Sequence, residues 1–141
     1  MTRLAESSLR IAPDVLAVRS VGEWLRAATG VLAPETAQSL LSRAELAVHE
    51  ACVNVIDHAR LAPGEGIGLS LVLEDDRLTV EIEDRGRPFD LEAVRLPEKS
   101  VPQERGFGVT IIRSLTDELA YHRAGSVNRL VLTFGFGGLD D

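Results

Sequence analysis

The hydrophobic pattern of the chain changes period near residue 66, and that change excludes most simple architectures. From Pro34 to about Ala59 the apolar residues recur with helical spacing, whereas residues 67–74 (IGLSLVLE) and 77–83 (RLTVEIE) alternate strictly. A segment of period 3.6 cannot rest as a strand, nor one of period 2 as a helix, so one fold must join a long helix to a hairpin. Asp75-Asp76 between the alternating runs reads as the hairpin turn. Leu61-Ala62-Pro63-Gly64 ends the helix that Pro34 opens.

The flanking segments extend the pattern. Residues 7–12 (SSLRIA) read as a short strand broken by Pro13-Asp14. Asp14 is placed to cap a helix over Val15–Thr29, and Gly30 to close it with a positive φ. Beyond the hairpin lies a loop over 84–105, long for a compact domain and therefore expected to be functional or mobile. Gly106-Phe107-Gly108 then leads into a helix from Val109 to Leu115, followed by strands at about 118–123 and 128–136 around an Ala124-Gly125-Ser126 turn. The order β-α-α-β-β-loop-α-β-β predicts an α+β two-layer sandwich, a mostly antiparallel mixed sheet with helices on one face.

At 141 residues the chain is one domain's worth, 1–141. Fifteen basic against 22 acidic residues give a net charge of −7, and no Lys/Arg stripe appears, which argues against binding nucleic acid through its phosphates. The single cysteine, Cys52, excludes an internal disulfide and a thiolate-rich metal site, and reads as a small core residue. No apolar run approaches the roughly 20 residues of a membrane span, and the N-terminus lacks an apolar signal core. An acidic cytoplasmic domain without membrane contact is the expectation.

Three segments could carry chemistry. Glu50, Asn54 and His58 are spaced i, i+4, i+8 and drift by about 80° around a helix, with Asp57 on the same side and Val48, Cys52, Val55, Ile56 and Ala59 roughly opposite. They read equally as a solvated face, although a mid-helix Asn is a poor helix former. Asp84, at a strand's end, leaves a carboxylate free to accept from an exocyclic amine, with Gly86 clearing space for a flat ring. An ordinary Asp-x-Gly turn stiffened by Pro88 is the alternative. Gly106 and Gly108 turn backbone N–H groups inward at a helix N-terminus, a ready anion site or simply a glycine-rich entry.

Together, Glu50-Ala51-x-x-Asn54-x-x-x-His58-Ala59, Asp84-x-Gly86-x-Pro88-Phe89-Asp90, Arg105-Gly106-x-Gly108 and Asn128-x-Leu130-Val131-Leu132-Thr133 resemble the Bergerat (GHKL) ATP-binding fold shared by gyrase and histidine kinases. Within that family the chain looks most like the stand-alone bacterial serine-protein kinases that act as anti-sigma factors in partner-switching systems. The resemblance implies ATP and Mg2+ as cofactors, with Asn54 the metal ligand and Glu50 the general base. It implies that Asp84 binds the adenine amino group, Gly86 gives clearance, and Thr133 lines the base pocket. His58 would orient near the nucleotide, Gly106 and Gly108 would hold the phosphates, Arg105 would reach the γ-phosphate or the protein substrate, and residues 91–105 would form a lid. The implied partners are a small STAS-type anti-anti-sigma factor as substrate, a sigma factor or another target, and a second copy in a homodimer. With no phosphoacceptor His hairpin upstream, a histidine kinase is not expected. A non-catalytic nucleotide-responsive binding module and a purely structural interaction domain are the alternatives, and Glu50 weighs against the first of these.

Overall fold

A computed structural model describes residues 2–62, 64–88 and 107–137. The elements run β1 (Arg3–Ile11), α1 (Arg19–Thr29), α2 (Pro34–His58), β2 (Ile67–Glu74), β3 (Arg77–Asp84), α3 (Phe107–Leu115), β4 (Glu118–Ala124) and β5 (Val127–Gly135). The strands form one sheet in the order β1-β2-β3-β5-β4. Every ladder between described strands is antiparallel. The expected element order and sheet are therefore present, without a parallel pair among the described residues.

Strand alternation decides which face is the core. Leu69, Leu71 and Leu73 on β2 stand opposite Ile82, Val80 and Leu78 on β3, and those pair in turn with Leu130, Leu132 and Phe134 on β5. Most of these side chains are fully buried, and they join Leu25, Leu40, Ala44, Val48 and Cys52 from α1 and α2 in a single cluster. Small residues along α2 (Ala44, Ala47 and Ala51) let the long helix lie close to the sheet. At the β1 edge the Trp24 indole N–H donates to Ser7 Oγ at 2.9 Å, which ties α1 to the same face.

Local signals account for most boundaries, and three differ from expectation. Strand β1 begins at Arg3 rather than residue 7, because its ladder with β2 continues past Ser7 to Glu74. Helix α1 begins at Arg19, not Val15. The Asp14 carboxylate accepts the Ala17 N–H at 2.8 Å and so caps the preceding turn instead of the helix. Gly30 stays right-handed at φ −62°, so it does not use glycine's conformational freedom. That freedom is used at Gly64 and at Gly125 in the β4–β5 turn, where φ is 87° and 60°. Just after α2 it is Arg60 that adopts the left-handed geometry of a helix C-terminus, at φ 52°. Among the described residues no helix is long and apolar enough to cross a membrane.

Candidate functional site

Two rows of the sheet register back one wall of a cleft and contribute Asp84, Ile82, Leu130 and Tyr121 to its lining. Asp84, Asn128 and Arg123 lie side by side across β3, β5 and β4, and Ile82, Leu130 and Tyr121 form the next row. All point toward the helices, because they share the parity of the buried core residues. The facing wall comes from α2, whose Ala51, Asn54, Val55, His58 and Ala59 fall at i, i+3, i+4, i+7 and i+8. Ile112 of α3 and Leu119 of β4 complete the apolar lining. With the solvent at its open mouth counted, the cleft spans about 510 Å³.

Asp84 is the one carboxylate among the described lining residues, and it is 7% exposed. Its Oδ1 accepts from the Gly86 N–H at 2.8 Å and from Asn128 Nδ2 at 2.9 Å. Asn128 Nδ2 also donates to the Gly86 carbonyl at 2.9 Å and to that of Arg87 at 3.3 Å. The Asn128 Oδ1 in turn accepts from Tyr121 Oη at 2.9 Å and from the Arg123 guanidinium at 2.5 Å. A buried carboxylate is costly unless it is hydrogen-bonded, and this network supplies the bonds. Largely apolar walls around one carboxylate, with Asn54, His58, Arg87 and Tyr121 as the other polar lining residues, suit a flat heteroaromatic ring that carries an N–H donor.

A close approach of backbone requires glycine at position 86. A Cβ there would lie 2.5 Å from Ala59 Cβ and 2.8 Å from its carbonyl carbon, and would also crowd the carbonyl oxygen. The same oxygen accepts the Arg87 N–H at 2.6 Å. The missing side chain thus lets the loop after β3 seat against the end of α2.

The other expected residues separate into groups. Asn54, His58 and Asp84 line the cleft together. Val55 and Ala59, placed opposite them on the helix, line it too, because the occupied stripe is centred between the two sets. Glu50 is half-buried, one turn before Asn54 and outside the lining, while Asp57 is exposed. Thr133 does not line the cleft. It lies an odd number of residues from the core-facing Leu130, Leu132 and Phe134, so alternation puts it on the outer face between Thr79 and Glu118. The residue beside Asp84 is Asn128, which the same parity count from Leu130 identifies. Gly108 falls in the first turn of α3, where backbone N–H groups lack intrahelical partners. Arg105, Gly106 and the expected lid at 91–105 lie outside the described residues, as do Phe89 and Asp90. Cys52 is a buried core residue, and burial pushes its thiol up to about 12.

The histidine kinase-like ATPase domain family matches residues 15–134. Over 83 residues the chain is 37% identical to the serine-protein kinase RsbW of Halalkalibacterium halodurans, a match covering 53% of this chain and 51% of that protein. It is 31% identical over 93 residues to RsbW of Staphylococcus epidermidis, covering 59% and 58%. The match thus spans little more than half the length of these curated relatives. A crystal structure of the RsbU and RsbW domains of a Mycobacterium tuberculosis protein superposes with a TM-score of 0.64 at 15% identity, covering 95% of this chain and 34% of the other. At that identity the likeness is one of fold.

Proposed function

The chain belongs to the histidine kinase-like ATPase domain family, and we propose that it acts there as an ATP-dependent serine/threonine protein kinase of a bacterial partner-switching system. Its substrate is a small STAS-type anti-anti-sigma protein phosphorylated on Ser or Thr. Phosphorylation adds about −1.5 to −2 charge to the docking surface and releases the substrate. The freed kinase then holds a sigma factor, acting as a cytoplasmic, dimeric anti-sigma factor. The relatives named serine-protein kinase support this reading. The observation that carries it is the apolar cleft with Asp84 hydrogen-bonded through one oxygen only among the described residues and Asn54 on the facing helix.

Each residue's part follows from its chemistry. The Asp84 carboxylate accepts from the adenine amino group, while Ile82, Ile112 and Leu130 cover the ring. Asn54 offers a neutral carboxamide oxygen from the cleft wall. That suits Mg2+, a hard ion that binds few protein oxygens and keeps waters and phosphate oxygens as its other ligands. When bound, Mg2+ neutralises charge on the phosphate oxygens. In this reading Gly108 would contact the phosphates and His58 would orient the nucleotide. The parts of Gly106 (phosphates), Arg105 (γ-phosphate) and residues 91–105 (lid) are assigned by the family resemblance alone, since they lie outside the described residues. Glu50 takes the proton of the serine hydroxyl as its oxygen bonds to the γ-phosphorus. The bond to the β–γ bridging oxygen breaks, and ADP leaves with the electron pair.

The test uses labelled ATP, Mg2+ and the cognate anti-anti-sigma protein. Phosphoserine formation that Glu50→Ala abolishes, with ATP affinity retained, is the expected result. One observation favours a second reading, a non-catalytic nucleotide-responsive binding module: Glu50 stands outside the lining of the cleft. Tight ATP binding without transfer to any partner would select that module, and no ATP binding would exclude both.

A further inference from the structure

We propose that Asn128 is a positioning residue for base recognition, locked by Tyr121 and Arg123 so that it fixes the Asp84 carboxylate toward a purine 6-amino group. The proposal rests on the ATP-site reading above.

The orientation of the Asn128 amide is fixed from both ends. On one side, Oδ1 takes two donors, the Tyr121 hydroxyl and the Arg123 guanidinium. On the other, Nδ2 meets acceptors only: the Asp84 carboxylate and the backbone carbonyls of Gly86 and Arg87. A flipped amide would set its NH2 against the guanidinium and its oxygen against those acceptors, at a site where Asn128 is 2% exposed. Arg123 adds a second brace by donating to the Gly86 carbonyl at 3.3 Å.

This lock passes to Asp84. Its Oδ1 is engaged twice, by Asn128 Nδ2 and by the Gly86 N–H, which sets the plane of the carboxylate. Oδ2 accepts no hydrogen bond from a described residue. An ionised carboxylate is acceptor-only, so a fixed Oδ2 is matched by a 6-amino group, left unpaired by a ring with hydrogen at that position, and opposed by a 6-keto oxygen. Discrimination requires the carboxylate to be held in place, since one free to rotate could turn away from the mismatch.

The experiment measures calorimetric affinities, with Mg2+ present, for ATP, GTP and purine riboside triphosphate, which lacks the 6-amino group. Wild type, Asn128→Leu and Arg123→Gln are compared. The wild type should prefer ATP to purine riboside triphosphate by about tenfold or more, the value of a hydrogen bond to a charged acceptor. Asn128→Leu should bind purine riboside triphosphate within about twofold of wild type while the preference for ATP falls below about threefold. Arg123→Gln, at an exposed side chain, should shift the preference the same way by a smaller factor, and it decides the matter should Asn128→Leu fail to fold. An unchanged preference in the variants, or an equal loss for ATP and purine riboside triphosphate, overturns the proposal by making Asn128 purely structural. A wild type that binds the nucleotides without preferring ATP overturns it while leaving nucleotide binding standing. A wild type that binds none of them overturns the ATP-site reading as well.

Discussion

Gly86→Ala tests how the site is held together. The added Cβ meets the Ala59 carbonyl oxygen, its Cβ at 2.5 Å and its carbonyl carbon at 2.8 Å, so two backbone segments must move apart. Overpacking of this kind costs about 1–3 kcal/mol. The shift also stretches the 2.6 Å bond from the Arg87 N–H to the Ala59 carbonyl, worth about 1 kcal/mol net. Against these, alanine narrows the unfolded ensemble by about 0.4–1 kcal/mol, because Gly86 does not use a positive φ. The balance is a loss of roughly 2–3 kcal/mol, and for a chain of this size a fall in Tm of about 8–12 °C. Thermal unfolding followed by circular dichroism reads it directly. Because the Gly86 N–H also braces Asp84, ATP affinity should fall in parallel. Adding Ala59→Gly removes the contact between the two Cβ atoms but not the one with the carbonyl, so it should restore less than half of the loss. A Gly86→Ala protein that melts within about 1 °C of wild type would refute the close-approach reasoning.

Two further outcomes follow from burial and parity. Burial pushes the Cys52 thiol from 9.0 up to about 12, so the unfolded chain ionises there first. The contribution of the protonated thiol is therefore complete below pH 9 and is lost between about pH 9 and 12, at up to order 1 kcal/mol per pH unit. Urea unfolding of wild type and Cys52→Ala at pH 8, 9 and 10 checks this: the stability of wild type relative to the variant should decline with pH, and a constant difference would contradict it. Thr133→Val should leave ATP affinity within about twofold of wild type, whereas a tenfold loss measured by calorimetry would return Thr133 to the site.

The hydrophobic period made the fold legible. A run that repeats every 3.6 residues from Pro34 has one apolar stripe to bury, and alternating runs on either side of Asp75-Asp76 have one apolar face. Packing stripe against face fixes the two layers before any coordinate is known. What local pattern did not reveal is where backbone meets backbone. Asp14 satisfies the capping rule, yet it caps the turn at Ala17, two residues before α1 begins at Arg19. Gly86 was legible as a residue that matters, but its neighbour Ala59 is 27 positions earlier, and nothing in a local pattern brings the two together.

Thr133 and Asn128 mark the same boundary within the site. The residue type that matched the family pattern sat on the wrong face, although the information to reject it was in the sequence: Leu130, Leu132 and Phe134 fix the buried parity of β5, and Thr133 is odd to them. Counting parity recovers Asn128 as the core-facing polar residue of that strand. It does not recover Arg123 and Tyr121 as its partners, because that requires the pairing of β4 with β5, which sets Arg123 opposite Asn128 and Tyr121 opposite Leu130. Once the turn at Gly125 fixes that register, the row Asp84–Asn128–Arg123 follows, and with it a carboxylate aimed by a chain of side chains drawn from three strands. A recognition site of this kind depends on strand register as much as on residue identity. A one-residue slip of β5 would carry Asn128 to the outer face and leave Asp84 without its side-chain brace.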